Sequence, residues 1–146
     1  MRTLGRAERV DLPDYELFDL PAKVDTGAYS SSIDHSFVRE TELNSVPALE
    51  FVLLREGSKG YTGKKLTTTE FETTEVHNAN GTQKRYVIFP NMTVEGEVRR
   101  TRLTLADRSK LRYPVLIGRR FLREAEYLVD VSLGKGLPDD EEERKL

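Results

Sequence analysis

The chain predicts an all-β protein: a closed barrel or closed sandwich with one short helix near the C-terminus. Three observations point there. Short β-prone runs separated by Gly, Pro and Asn turns recur along the chain. A helical pattern is convincing only over Arg119 to Glu126. There is no strand–helix alternation of the kind that builds a parallel α/β sheet.

Taken in order, Arg9 to Leu12 reads as a first strand, and Pro13-Asp14 as the turn after it. Leu20 to Asp25 runs extended into a Thr26-Gly27 turn, and Tyr29 to Ile33 reads as a short strand. Ala48 to Leu54 is an apolar strand, followed by a polar, glycine-rich loop from Glu56 to Gly63. Leu66 to Val76 is rich in threonine and β-prone. Asn78-Ala79-Asn80-Gly81 supplies a turn, since Asn and Gly tolerate positive φ, and Arg85 to Phe89 is the returning strand. A further hairpin is centred on Gly96. Its second arm, Arg100 to Leu105, puts Thr101, Leu103 and Leu105 on one face and Arg100, Arg102 and Thr104 on the other. Val115-Leu116-Ile117 is a buried-type strand ending at Gly118, and Tyr127 to Val131 is the last strand.

Composition bounds the rest. The 146 residues are 37% hydrophobic and 33% charged, which supports one modest core and one domain. That domain is assigned to residues 1–133. Residues 134–146, with the run Asp139-Asp140-Glu141-Glu142-Glu143, are expected to form a flexible acidic tail. With 23 Lys and Arg against 25 Asp and Glu, the net charge of −2 argues against nucleic acid or an anionic membrane as partner. No apolar run approaches the about 18 residues of a membrane span. Met1 to Arg9 has no apolar stretch after its basic residues, so no signal peptide is expected. The lack of cysteine excludes disulfides and thiolate chemistry and suits a cytoplasmic setting.

The segment that carries chemistry is Ala22-Lys23-Val24-Asp25-Thr26-Gly27-Ala28. It puts the Asp25 carboxylate at a strand end. Gly27 lets the backbone turn sharply and bring its N–H toward that carboxylate, Thr26 offers a hydroxyl, and Ala28 leaves room beside the acid. Taken alone, an ordinary Asx-type turn accounts for these residues equally well. A second element lies about ninety residues on, where Pro114 to Leu122 reads Pro-Val-Leu-Ile-Gly-Arg-Arg-Phe-Leu.

With both elements in this order, the chain resembles the retropepsin-like aspartic proteases. They place an apolar strand, Gly-Arg and a short helix at the same point behind Asp-Thr-Gly. A closer resemblance covers nearly the whole chain. It is to a mostly bacterial group labelled ATP-dependent zinc proteases, some of them encoded near ATP-grasp amino-acid ligases. Gly5, Glu8, Leu12 and Pro13 match its opening motif, Ala22 to Ala28 its Asp-Thr-Gly stretch, Leu105, Arg108 and Ser109 a third motif, and Leu116 to Arg119 the fourth.

The resemblance implies a retropepsin-like closed barrel and an aspartic endopeptidase working as a homodimer. One Asp25 from each copy would complete the site, with Thr26 and Gly27 as its immediate supports. It implies that Ala28 and a flap hairpin with His77, Asn78, Asn80 and Gly81 contact substrate, and that Ile117, Gly118 and Arg119 brace the loop. The association with ligases suggests peptide or protein substrates, acidic ones among them. Zinc and ATP find no support in the residues. There are only two histidines, His35 and His77, with no His-Glu-x-x-His, no cysteine and no Walker loop, so no metal and no cofactor are expected. Tyr29 stands where the viral enzymes carry the acid that pairs with the Gly-Arg arginine. Arg119 therefore needs another partner: Asp34, a backbone carbonyl, or a group across the dimer. Two other readings stay open: a non-catalytic peptide-binding or assembly module on the same fold, and a nucleic-acid binder using Arg99, Arg100 and Arg102, which the near-neutral charge disfavours.

Overall fold

A computed structural model describes residues 2–137, apart from the side chains of Val76 and Asn78. The all-β expectation holds. Thirteen strands and one six-residue helix, α1 (Arg119–Glu124), make up the described chain, with a single 3-10 turn at Pro13–Tyr15. The strands are β1 (Arg2–Leu4), β2 (Ala7–Leu12), β3 (Leu17–Val24), β4 (Ser32–Leu43), β5 (Val46–Leu53), β6 (Leu66–Thr68), β7 (Phe71–Asn78), β8 (Gly81–Ile88), β9 (Asn91–Val94), β10 (Glu97–Arg100), β11 (Leu103–Ala106), β12 (Val115–Ile117) and β13 (Tyr127–Val129).

Most strands join one strongly curled sheet in the order β10-β9-β2-β3-β12-β4-β11-β8-β7, and β5 and β6 extend it from β4. The curl wraps a core built on Leu12, Leu20, Ile33, Phe51, Ile88, Met92, Leu103 and Ile117, each fully buried. Alternation in β11 and in the residues before it places Thr101, Leu103 and Leu105 inside, as their spacing predicts.

Three local readings change. Arg100 to Leu105 is not one strand. The chain bends at Thr101, whose N–H donates to the Pro90 carbonyl at 2.8 Å, so β10 pairs with β9 while β11 enters the sheet between β4 and β8. Residues 34–43 belong to a twelve-residue strand, and Asn44 and Ser45, with φ of 51° and 66°, close its hairpin to β5. Beyond Asp34 that strand mixes charged residues with the adjacent pair Phe37-Val38, so it lacks the apolar alternation that marks a strand in sequence. Finally, β1 pairs in parallel with β13, a three-residue match that buries only Leu4 on the first strand. No helix among the described residues is long and apolar enough to cross a membrane.

Of the acidic tail assigned to 134–146, residues 138–146 lie outside the described residues. Gly134 to Leu137 rest on the domain: Arg6 Nη2 donates to the Leu137 carbonyl at 3.3 Å, and Lys135 pairs with Glu95 at 2.8 Å.

Candidate active site

Asp25 sits just past the end of β3. The chain then loops through residues 25–31 and enters β4, and β12 lies between these two strands. Leu116 stands opposite Lys23 of β3 in parallel and opposite Ser32 of β4 in antiparallel pairing. The loop therefore straddles the end of β12. The Asp25 N–H donates to the Ile117 carbonyl at 2.9 Å, which ties the base of the loop to that strand.

Within the loop, the Gly27 N–H donates to Asp25 Oδ1 at 2.9 Å and the Ala28 N–H to the Asp25 carbonyl at 3.2 Å. This is an Asx-type turn, as the residue types predict. A Cβ on Gly27 would lie 3.2 Å from Asp25 Oδ1, so a side chain there would crowd the carboxylate. Asp25 and Ala28 are half-buried, and Thr26 and Gly27 are exposed.

Beneath the loop, Gly118 admits no side chain. Its Cβ would meet the Ser30 and Tyr29 carbonyl oxygens at 2.7 Å. Its N–H donates to Ser31 Oγ at 3.0 Å, and the next two N–H groups, of Arg119 and Arg120, donate to the Ala28 and Tyr29 carbonyls at 2.8 and 3.0 Å. The first N–H groups of a helix have no partner within it. Here the Asp25 loop supplies the partners, so α1 and the loop hold each other.

Arg119 finds its partner in the loop backbone and in Tyr29. Nη1 donates to the Gly27 carbonyl at 3.0 Å and more weakly to that of Thr26 at 3.4 Å, and the guanidinium lies 5.6 Å from the Tyr29 ring centroid. Asp34 is taken elsewhere. Buried at 2% exposure, it accepts from Arg55 Nε and Nη2 at 2.7 and 2.8 Å and from the Arg108 N–H at 2.7 Å.

This Asp34 node is the part of the site that the residue-by-residue reading missed. Its one signal was the Leu105-Arg108-Ser109 motif, whose role the structure now makes physical. Arg108 is buried and donates through Nε to the Tyr113 carbonyl at 2.9 Å. Burial pushes its pKa down, while the charges of Asp34 and Asp25 push it up. It is thus a cation close enough to feel the Asp25 carboxylate. A cavity of about 300 Å³ opens beside it, lined by Asp34, Arg55, Lys59, Arg108 and Arg112 among others. The opening motif is explained as well. Glu8 Oε1 accepts the Gly5 N–H at 2.9 Å, and Gly5 lies so close to Leu133 that a Cβ would clash with its carbonyl at 2.1 Å.

The residues expected to form a flap lie on the β7–β8 hairpin, where Asn78 faces Gly81 across the turn and Gly81 has φ of 114°. His77 Nδ1 is 2.9 Å from Thr82 Oγ1, its cross-strand neighbour. Asn80 is exposed, and the side chain of Asn78 lies outside the described residues. The hydrogen bonds of Asp25 stay within its loop and β12, and that of His77 stays within its hairpin. The structure therefore joins Asp25, Thr26, Gly27, Ala28, Ile117, Gly118 and Arg119 into one unit and leaves the hairpin tip apart from it.

Each arginine of the run has an acidic partner. Arg99 pairs with Glu97, which Arg2 also holds, Arg100 with Glu70 and Arg102 with Glu72. Most of the positive charge that phosphates would need is thereby balanced. His35 is bonded through Nδ1 to the Ala106 carbonyl at 2.9 Å. Among the described residues no three His, Cys, Asp or Glu side chains gather into a metal-holding group.

A carboxylate at a strand end, held over a third strand and locked to a Gly-Arg helix start, places the chain among the acid-protease folds. The chain belongs to the RimB-like family, whose model, described as retropepsin-like aspartic endopeptidase RimB, matches residues 3–135. Among solved structures it is similar to a protein of unknown function (DUF785) from Legionella pneumophila subsp. pneumophila str. Philadelphia 1. The two are 28% identical, with a TM-score of 0.71 over 91% of this chain and 95% of that one. No protein of curated function matches the chain.

Proposed function

We propose that the chain is an aspartic-type endopeptidase that acts as a homodimer, each copy supplying one Asp25. The observation that carries this is the state of Asp25 itself. Its Oδ1 is held by the Gly27 N–H, the residue stays half-exposed, and among the described residues no hydrogen bond reaches Oδ2. The chain holds a single Asp-Thr-Gly, so the second carboxylate that the chemistry needs comes from a second copy about a two-fold axis.

Peptide hydrolysis by this route needs one carboxylate to take a proton from water and one carboxylic acid to give a proton to the carbonyl oxygen. Two carboxyls about 3 Å apart do not both ionise, so they share one proton and titrate as a pair. Thr26, exposed beside Asp25, faces its copy across the axis in this arrangement. The β7–β8 hairpin then folds over the bound peptide and excludes water. Arg108 and Arg112, with Arg55 and Lys59, line the cavity beside Asp34 and favour acidic side chains in the substrate. A cytoplasmic setting suits the cysteine-free chain.

The test is cleavage of a peptide library across acidic to neutral pH, by the wild type and by Asp25→Asn. Wild-type cleavage that is lost in Asp25→Asn, with the dimer retained, is the expected result. Cleavage by Asp25→Asn would sink the mechanism. A dimeric wild type that cleaves nothing at any pH would favour the peptide-binding module.

A further inference from the structure

β11 is a short strand set between two long ones. Leu105 and Ala106 lie opposite Ile33 and Asp34 of β4, and Leu103 and Thr104 lie opposite Ile88 and Val87 of β8. At Asp107 the chain turns away, with the Ser109 N–H and hydroxyl both bonded to Asp107 Oδ1 at 3.0 and 2.6 Å. The flanking strands do not stop there. β4 runs on to Leu43, and β8 extends back to Gly81.

Each of these extensions has only one paired edge. Asp34 donates to the Pro114 carbonyl at 2.8 Å and accepts from the Leu54 N–H at 2.9 Å. The N–H and C=O of a strand residue point to the same side, so β5 continues on the side of β12 and leaves the β11 side of β4 open. Likewise β8 pairs with β7 along its whole length but meets β11 only at Val87 and Ile88. Past Ala106, then, β4 and β8 present open edges toward each other, and no described strand lies between them.

Where they flank β11, β4 and β8 stand about 9.5 Å apart, twice the spacing of neighbouring strands, and the gap opens from there with room for one more strand. The gap is a cavity of about 380 Å³, lined by His35 and Val38 of β4, Lys84 and Tyr86 of β8, and Leu105 and Asp107 at the end of β11. Its first rung is filled, because His35 Nδ1 meets the Ala106 carbonyl and the His35 carbonyl accepts from Arg55 at 2.8 Å. Farther out, Glu40 Oε2 accepts from both Lys84 Nζ at 2.8 Å and the Tyr86 hydroxyl at 2.9 Å. These contacts link the side chains of the two walls.

We propose that this slot binds an extended polypeptide segment as an added strand, through main-chain hydrogen bonds to β4 and β8, at a site apart from the Asp25 loop. Two facing open edges offer donors and acceptors to both sides of one chain, the same chemistry by which peptides add to sheet edges elsewhere. Val38, half-buried on one wall, suits a small β-branched side chain such as valine, and the polar groups of Gln83, Lys84, Arg85 and Asp107 suit threonine at the positions between. The site does not depend on hydrolysis, and its test is independent of it.

The experiment is hydrogen exchange on the Asp25→Asn protein with a peptide of alternating threonine and valine, beside the same peptide N-methylated at alternate residues. The expected result is slowed exchange of amides in β4 beyond His35 and in β8 before Val87. The N-methylated peptide should bind roughly tenfold or more weakly, the loss of one or two main-chain hydrogen bonds. Val38→Trp, which fills the cavity, should weaken binding similarly. Equal binding of both peptides would overturn the proposal, as would protection confined to residues 25–29 or no protection at all. Protection that appears without peptide as protein concentration rises would place a second copy of the chain in the slot and overturn it too.

Discussion

The Arg119 guanidinium lies over the Tyr29 ring, 5.6 Å from its centroid, while its Nη1 donates to the Gly27 carbonyl at 3.0 Å. An aromatic ring thus does here what a carboxylate does in the viral pattern: it holds the arginine against the loop that carries Asp25. The exchange suits an exposed position, since Tyr29 is 51% exposed and a cation–π contact needs no desolvated partner charge.

Tyr29→Ala should therefore cost about 0.5–1 kcal/mol of stability, the range of an exposed cation–π contact, whereas Tyr29→Phe should stay close to wild type. Chemical denaturation of the three proteins measures this. If the phenylalanine and alanine variants are equally destabilised, the ring face is not what Arg119 uses.

Gly118→Ala should be far more damaging. Its Cβ would sit 2.7 Å from backbone atoms of Tyr29 and Ser30, and backbone cannot rotate aside as a side chain can. A loss of about 2–4 kcal/mol is expected, in the range of strong overpacking. Activity should fall with it, because the same shift moves the loop above. A variant with wild-type stability in urea would show that β12 and the loop are free to separate.

Asp34→Asn should cost roughly 3 kcal/mol, since it withdraws the buried charge that Arg55 and the Arg108 N–H are built around. Arg55→Ala, tested alone and in combination, separates the pair from the rest. A coupling energy above about 0.5 kcal/mol is expected for residues in direct contact. Additive losses would mean that the two side chains act independently.

Glu8 predicts a pH effect. It is 2% exposed, and burial holds its pKa above the usual glutamate value. The Gly5 N–H pulls it back down, neighbouring Glu95 pushes it up, and Lys135 pulls it down. Glu95 is held low by its pairing with Lys135, so of the two acids Glu8 is the first to take up a proton as pH falls. An acid with a raised folded pKa binds more protons folded than unfolded. Its contribution is fully present below the ordinary value of 4.5 and is lost as pH rises through the folded pKa. Glu8→Gln keeps an oxygen for Gly5 without the charge. It should melt higher than wild type at neutral pH, with the difference shrinking on acidification. Parallel melting curves across that range would remove Glu8 as the titrating group.

Much of the fold was legible because it rests on local chemistry. Asn78 to Gly81 and Glu95-Gly96 carry their own turn signals, Leu103 and Leu105 alternate, and Pro114 to Phe121 reads as a strand running into a helix. The Asp25 loop was legible too, since Asp, Thr and Gly in that order specify the turn that places the Gly27 N–H on the carboxylate. The strand over residues 34–43 was not, because its apolar residues Phe37, Val38 and Leu43 do not fall at alternate positions and so give no half-buried strand pattern.

By itself, then, the sequence determined that the protein is built of β-strands, that Asp25 sits in a tight turn, and that a Gly-Arg helix start follows at the right distance. It did so because turn conformation and strand alternation depend on neighbouring residues. Only the tertiary structure decided that β12 passes between β3 and β4, that Asp34 belongs to Arg55, and that Arg119 belongs to Tyr29 and the loop carbonyls. Those pairings join residues tens of positions apart. They depend on which strand lies beside which, and no local pattern encodes that.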